Sequence, residues 1–337
     1  MSEKINIDVK AGSRAYNRLD MQVSQAVHMA IEIFENVNFL LVMDHYDDIT
    51  IFDDTDNPQS VSYYQMKTNE DSISFNTILR EEWLPKLYKH LAHPDYLIKE
   101  LGLITNCPVK LGKKLFVEAH TPFSKFNDDT ITKIKGDISK KMNIPANSVN
   151  LSKFVHIRTT LTIAKHKDMA EYELSNFLKT LYPRITVESV KTIFQSIIDM
   201  LTKRQENEEV PDNADFSIVR AKKGVSKDDI NRVIKMTMLI SLPDFDTILR
   251  AGKFQNEDAV SREYVRILAD LQKKESGPFS LIQKIQTEME QHPIVNGEDF
   301  FDYAKRTSNI IPNNPIYNDI YKQIIVISIL HNIWENA

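Results

Sequence analysis

Cysteine is nearly absent: Cys107 is the single one in 337 residues. That excludes an internal disulfide framework and a cysteine-based zinc site, and it fits a reducing cytoplasm; Cys107 itself reads as a small buried hydrophobe. Glycine is scarce too, with eight in all, and none is spaced to cradle phosphates. Gly112-Lys113-Lys114 lacks the upstream glycine of a nucleotide-binding loop, so nucleoside triphosphate hydrolysis is not expected. No HExxH or Cys–His spacing supports zinc, and Ser226 and Ser276 lack the strand–turn–helix setting of an acyl-transfer nucleophile. Long apolar runs are missing as well. Ile324 to Leu330 is too short to cross a bilayer, and the opening MSEKINIDVKAGS has no apolar run behind its charges, so neither a secretory signal nor a transit peptide is expected. There is also no excess of positive charge. The net charge is −5 with a pI near 6.0, so any contact with nucleic acid must rest on local rather than bulk charge.

What is present is ordinary for a soluble globular chain: 42% hydrophobic and 26% charged residues, in a length that exceeds a usual single domain. From Ser13 to Asn36, Leu19, Val23, Val27, Ala30 and Phe34 recur at helical spacing, with Gln25, His28, Glu32 and Glu35 on the opposite stripe. Val37 to Met43, Ile49 to Phe52 and Val61 to Thr68 read as three antiparallel strands. A helix over Phe75 to Leu91, kinked or broken at Pro85, and strands at Leu101 to Thr105 and Leu115 to Ala119 follow. Beyond about residue 125 the pattern is predominantly helical, with Gln205 to Asp215 as the best linker and no internal repeat. The expected class is α+β. A mixed sheet flanked by helices occupies residues 1–150, and a mainly α-helical region occupies 151–337.

In Tyr63-Tyr64-Gln65-Met66-Lys67, strand periodicity puts Gln65 and Lys67 on one face and Tyr64 and Met66 on the other. Asp48 stands at the mouth of the preceding strand, with Asp44 and Asp47 in the connecting turn. Carboxylate and amide oxygens beside a lysine are what metal-assisted phosphodiester hydrolysis needs, because hard cations such as Mg2+ or Mn2+ take oxygen ligands. The cation activates water and offsets charge on the phosphate, while the ammonium orients the nucleophile and steadies the transition state. An Asp-rich turn or a lone Gln-x-Lys would equally suit an ordinary solvated surface. Their combination, after a helix bearing Gln and Glu, is more specific.

The run Phe39 to Ile49, with Tyr64-Gln65-Met66-Lys67-Thr68 and Leu103-Ile104-Thr105-Asn106, resembles the nuclease domain of CBASS-effector double-stranded DNA endonucleases, a PD-(D/E)XK type of domain. Effector subunits of Lamassu-type antiphage systems use the same domain. The likeness covers the first 120 to 150 residues and implies a restriction-endonuclease-like fold. It implies catalytic and metal positions at Asp48, Gln65 and Lys67; Asp47 or Asp44, from their place in the connecting turn, are candidate additional ligands. The family favours Glu where Asp44 stands. For the first-helix acid of such enzymes, Gln25 and Glu32 are equal candidates.

The resemblance further implies a cytoplasmic Mg2+- or Mn2+-dependent endonuclease acting on double-stranded DNA as an antiphage effector. It would be held silent in a complex with SMC-like and accessory subunits and activated as a homo-oligomer. The helical remainder does not resemble a cyclic-oligonucleotide sensing domain. The rival reading is a non-catalytic DNA-binding or adaptor subunit with a decayed nuclease fold, and an RNA-directed nuclease would share the same chemistry. Two basic groups, Lys133, Lys135, Lys140 and Lys141, and Arg220, Lys222 and Lys223, are expected as charged surface, so no DNA-contacting residue is assigned. Tyr317, Tyr321, Ile325, Ile329 and Trp334 lie at helical spacing and are expected to form an interface.

Overall fold

The computed structural model of the chain describes residues 11–92, 96–183, 185–211, 213–239, 242–272, 276–312 and 315–336. They belong to two compact units, Met1–Leu181 with Phe194–Asn231, and Tyr182–Ile193 with Arg232–Ala337.

In the first unit, α1 (Ala11–Ile33) precedes β1 (Leu40–Met43), β2 (Ile49–Phe52) and β3 (Ser60–Lys67), as the periodicities predict. A short β4 (Ile73–Ser74) leads into α2 (Phe75–Arg80) and α3 (Trp83–Tyr88), and then into β5 (Leu97–Thr105). The chain turns between α2 and α3 at Glu82, whose φ is +58°, rather than at Pro85. Pro85 falls in the first turn of α3, where a missing N–H removes no helical hydrogen bond. After β6 (Val109–Leu111), β7 (Lys114–Phe116) and β8 (His120–Pro122) come α4 (Asp128–Met142), β9 (Phe154–Arg158), α5 (His166–Leu181), α6 (Val187–Gln205, of which Phe194 onward belongs to this unit), α7 (Phe216–Lys223) and β10 (Gly224–Ser226).

The main sheet runs β10-β1-β2-β3-β5-β9-β8, and β4, β6 and β7 form a small second sheet. Strands β1, β2 and β3 make an antiparallel meander, β3, β5 and β9 are parallel, and both edge strands are antiparallel to their neighbours. The expected domain boundary at residue 150 needs correcting: β9 lies between β5 and β8, and β10 pairs with β1, so the first unit extends to Asn231. The expected linker is likewise part of this unit, with Val210 buried in its core.

One face of the sheet packs Phe52, Val61, Tyr63, Leu101 and Leu103 against Ile78, Leu84 and Leu87 of α2 and α3 and Ile134 and Ile138 of α4. Each such side chain contributes roughly 1.5–3 kcal/mol by leaving water. The opposite face buries Ile51, Tyr64 and Met66 toward α1, which also packs along α5. Gly102 pairs with Tyr64, and a Cβ there would overlap the tyrosine ring, so β5 needs glycine at this point to let the ring lie across it.

The second unit contains Arg232 onward of α8 (Lys227–Leu239), then α9 (Phe245–Gly252), α10 (Glu257–Gln272), α11 (Ser276–Gln291), α12 (Phe300–Ile310) and α13 (Asp319–Asn336). Helix α13 buries Ile324 to Leu330 continuously, as the central element of a bundle must. Lys322 reaches the last carbonyls of α12, donating to Ser308 O at 3.0 Å and Ile311 O at 3.3 Å, which satisfies acceptors a helix end leaves open. Tyr317, Tyr321, Ile325 and Ile329 are buried within this unit. They are its core rather than the expected interface; the Trp334 side chain lies outside the described residues. No helix among the described residues is long and apolar enough to cross a membrane.

Between β5 and β9, Thr105 Oγ1 donates to Cys107 O at 2.7 Å, so it accepts from His156 Nε2 at 2.9 Å and fixes the neutral imidazole. Burial, and then Arg158, push the His156 pKa down to about 4. The unfolded chain therefore binds this proton more readily, and stability falls as pH drops from about 6.5 to 4, by about 3 kcal/mol in total. Urea denaturation at several pH values should show this acid slope in the wild type and a flatter one in His156→Gln.

Candidate active site at the carboxyl end of β3

The register Ile49↔Tyr64 carries the pleat of β2 into that of β3 and brings Asp48, one residue before β2, opposite Gln65. Asp48 Oδ2 accepts from Met66 N at 2.6 Å and lies 3.5 Å from Lys67 Nζ. Both side chains are about four-fifths buried, and the Lys67 ammonium also stands 5.7 Å from the centre of the Trp83 ring. Burial raises the Asp48 carboxyl above its usual range; Lys67 and the Met66 amide pull it down, and Asp47 pushes it up again. Gln65 is buried, and its Oε1 has no hydrogen-bond partner among the described residues. Lys67 opens onto a cavity of about 420 Å³ whose walls include Arg18, Gln22, Asn69, Ser74 and Thr77. Asn69 and Asn106 exchange hydrogen bonds of 2.8 and 2.9 Å, tying together the exits of β3 and β5.

The other residues singled out from the sequence take different places. Asp47 Oδ1 accepts from Asp48 N at 3.0 Å, and its Oδ2 meets His90 Nε2 at 3.1 Å; it braces the turn and holds an imidazole. Asp44 is exposed, with φ +48°, a left-handed conformation that Asp tolerates better than Glu. Its backbone carbonyl, not its carboxylate, is engaged: it accepts from Lys223 Nζ at 3.2 Å. Glu32 points outward with its side chain 63% exposed, 3.6 Å from His28, which is also bound by Glu173.

Gln25 is fully buried beside Tyr64, in a cavity apart from Lys67, and its Oε1 too lacks a partner. The first-helix residues that do line the Lys67 cavity are Arg18 and Gln22, neither of them singled out from the sequence; of the two, Gln22 is the nearer to the predicted stripe. It lies one turn before Gln25, and Gln205 Nε2 donates to its Oε1 at 3.2 Å. Helical spacing alone marked the right face; choosing the right turn required knowing where the helix crosses the strand ends.

The basic groups are largely engaged within the fold. Arg220 pairs with Asp56, Lys141 with Glu82, and Lys222 with Glu209 at 3.5 Å. Lys223 is buried, and besides Asp44 O it donates to Gln205 O at 3.0 Å.

A hard divalent cation fits the donors here. Among the described residues Gln65 Oε1 is a buried acceptor with no donor, and the Asp48 carboxylate on the same face would supply the charge. No group of three His, Cys, Asp or Glu suited to a metal occurs among the described residues. Asp48 and Gln65 are the residues here that could hold such a cation.

A mixed sheet between helices brings Asp48, Gln65 and Lys67 together at the carboxyl end of β3, the restriction-endonuclease-like architecture expected from the sequence. Residues 10–205 match the family model of the Cap4 dsDNA endonuclease domain, which is more than half of the chain, and the chain belongs to that family. Lamassu protein LmuA of Bacillus cereus (strain VD014) is 25% identical over 334 residues, covering 96% of this chain and 88% of that protein. Among solved structures, the Cap4 SAVED/CARF-domain containing receptor of Acinetobacter baumannii with the cyclic trinucleotide 2'3'3'-cAAA shares 9% identity at a TM-score of 0.42, over 64% of this chain and 44% of that one. The Moraxella osloensis Cap4 receptor shares 10% at 0.43, over 68% and 50%. The chain thus spans half or less of those two receptors.

Replacing Lys223 by Met leaves two carbonyls without their donor. This should cost about 1–3 kcal/mol and speed amide hydrogen exchange over residues 44–48. Lys222→Ala, at an exposed position, should stay within about 0.5 kcal/mol. Chemical denaturation with exchange mass spectrometry measures both.

Proposed function

We propose that this chain is a metal-dependent endonuclease that hydrolyses phosphodiester bonds of double-stranded DNA, with Asp48, Gln65 and Lys67 as its catalytic residues. The observation that carries this reading is the Asp48–Lys67 pair at 3.5 Å beside the unpartnered Gln65 oxygen, in a domain of a dsDNA endonuclease family. Asp48 and Gln65 would hold the cation, Mg2+ or Mn2+. When bound, it would lower the pKa of water and offset charge on the scissile phosphate.

The chain's own groups do the rest. The Met66 N–H fixes the Asp48 carboxylate, so its second oxygen has a set direction. Lys67, largely buried between that carboxylate and the Trp83 ring, presents its ammonium to the attacking water and to the phosphoryl oxygens. In that partly dry setting its charge acts more strongly than in bulk water. Water attacks phosphorus in line while the opposite P–O bond breaks. Arg18 and the hydroxyls of Ser74 and Thr77 on the cavity wall are placed to receive the flanking phosphate oxygens.

By its likeness to a Lamassu protein along nearly its whole length, the chain takes the role of a cytoplasmic antiphage effector. It would be kept silent with SMC-like and accessory subunits and activated by assembling as a homo-oligomer. Cleavage of supercoiled plasmid at several protein concentrations tests the chemistry. Nicking or linearisation should require Mg2+, stop with EDTA, and fall by roughly 100-fold or more in Lys67→Ala and Gln65→Ala. Activity of the assembled complex that survives Lys67→Ala would instead support the adaptor reading.

A further inference from the structure

A second cavity, of about 560 Å³, lies on the same unit as the Lys67 cavity and shares none of its lining residues. Its walls are aromatic to an unusual degree: Tyr46, Tyr63, Tyr96 and Phe216, with the imidazoles of His45 and His90. The volume is that of a small-molecule pocket; one pair of rings in the wall is stacked, while Tyr46–Tyr63 and Tyr96–Phe216 meet at 74° and 56°. His90 lies parallel to Tyr63, with centroids 3.8 Å apart and planes 7° apart. Two polar residues, Asn213 and Asp215, belong to the lining. Asp215 is the N-cap of α7, yet its side chain makes no cap hydrogen bond, and both residues are exposed.

This wall is joined to the proposed cleavage site by short steps. Asp47, which accepts from the Asp48 amide, holds His90 with its other oxygen. Tyr63 precedes Gln65 by two residues on the same face of β3, about 7 Å along the strand.

We propose that this cavity binds a nucleobase, held flat against its aromatic wall, and that Asn213 and Asp215 recognise an exocyclic amino group as on adenine or cytosine. Every base offers a π-face, so aromatic walls hold it without regard to sequence. An amide and a carboxylate are the side chains that pair with the amino edges of A and C. The assignment to a base of the bound DNA strand rests on the nuclease reading above: Tyr63 lies four residues, about 13 Å, along β3 from Lys67, so a base drawn out of the duplex would lie about two nucleotides from a phosphate held there. Enzymes that take up a base this way favour mismatched sites, where unpairing costs least. A free nucleotide would satisfy the same chemistry.

The test measures binding, without cleavage, by the full chain in EDTA. Short duplexes with and without a single mismatch are compared by fluorescence anisotropy, and dAMP and dCMP are titrated by calorimetry, for wild type, Tyr96→Leu and Asn213→Ala. The wild type should bind the mismatched duplex several-fold more tightly than the paired one. That advantage should vanish in both variants, while affinity for the paired duplex stays within about two-fold.

Binding of dAMP or dCMP that both variants lose, with no mismatch preference, keeps the nucleobase site and assigns it to a free nucleotide. If the wild type shows neither preference, or the variants retain whatever is seen, the proposal is overturned. Asn213 is exposed, so its variant remains informative should Tyr96→Leu unfold. Plasmid cleavage with Mg2+, run alongside, separates failure of this proposal from failure of the nuclease reading.

Discussion

The Asp48 carboxylate, closed on the Met66 amide at 2.6 Å, joins the start of β2 to the strand that carries Gln65 and Lys67. It makes the site a property of strand register. In the register observed, Ile49 faces Tyr64, and Asp48, Gln65 and Lys67 share one side of the sheet. A slip of one residue would send Gln65 and Lys67 to the α1 side and leave Asp48 opposite a buried apolar side chain. Much of the surrounding structure protects this pairing. Asp53 accepts from the amides of Gln59 and Ser60 and from the Ser60 hydroxyl, which sets the loop between β2 and β3. Gly102 leaves the room Tyr64 needs on the opposite face.

The turn that presents Asp48 is held from three further places, all distant in sequence. His90 grips Asp47, Lys223 grips the Asp44 carbonyl, and the same lysine ties that carbonyl to Gln205, whose amide reaches Gln22 on the cavity wall. A buried ammonium facing two carbonyls is costly to desolvate and costly to remove, since each acceptor would then stand alone. This explains why the first unit cannot end near residue 150: the frame of its site includes residues 205 and 223.

Legibility from sequence followed the range of the interaction. Gln65 and Lys67 were readable because a strand alternates strictly, and Asp48 because it opens an apolar run. On α1, residues 21–27 are all buried, so the stripe through Gln25 is no outer face there, and periodicity alone does not say which of its turns meets the strand ends. Asp44 looked like a ligand by composition, whereas its left-handed φ gives the residue a backbone role. Strands β9 and β10 were missed because they are short and their partners lie some 50 and 180 residues away in sequence. The C-terminal aromatic stripe was read as an interface because periodicity reports that a face is covered, not what covers it.

Asp48 and Gln65 together are the proposed divalent-cation site. Titrating Mn2+ into the full chain and into Asp48→Asn, followed by electron paramagnetic resonance, tests it directly; the amide oxygen of Asn can still accept from Met66, so the fold is retained. The account expects one bound ion per chain in the wild type and at least ten-fold weaker binding in the variant, roughly the loss of one charged ligand. Equal binding by the two proteins would contradict it.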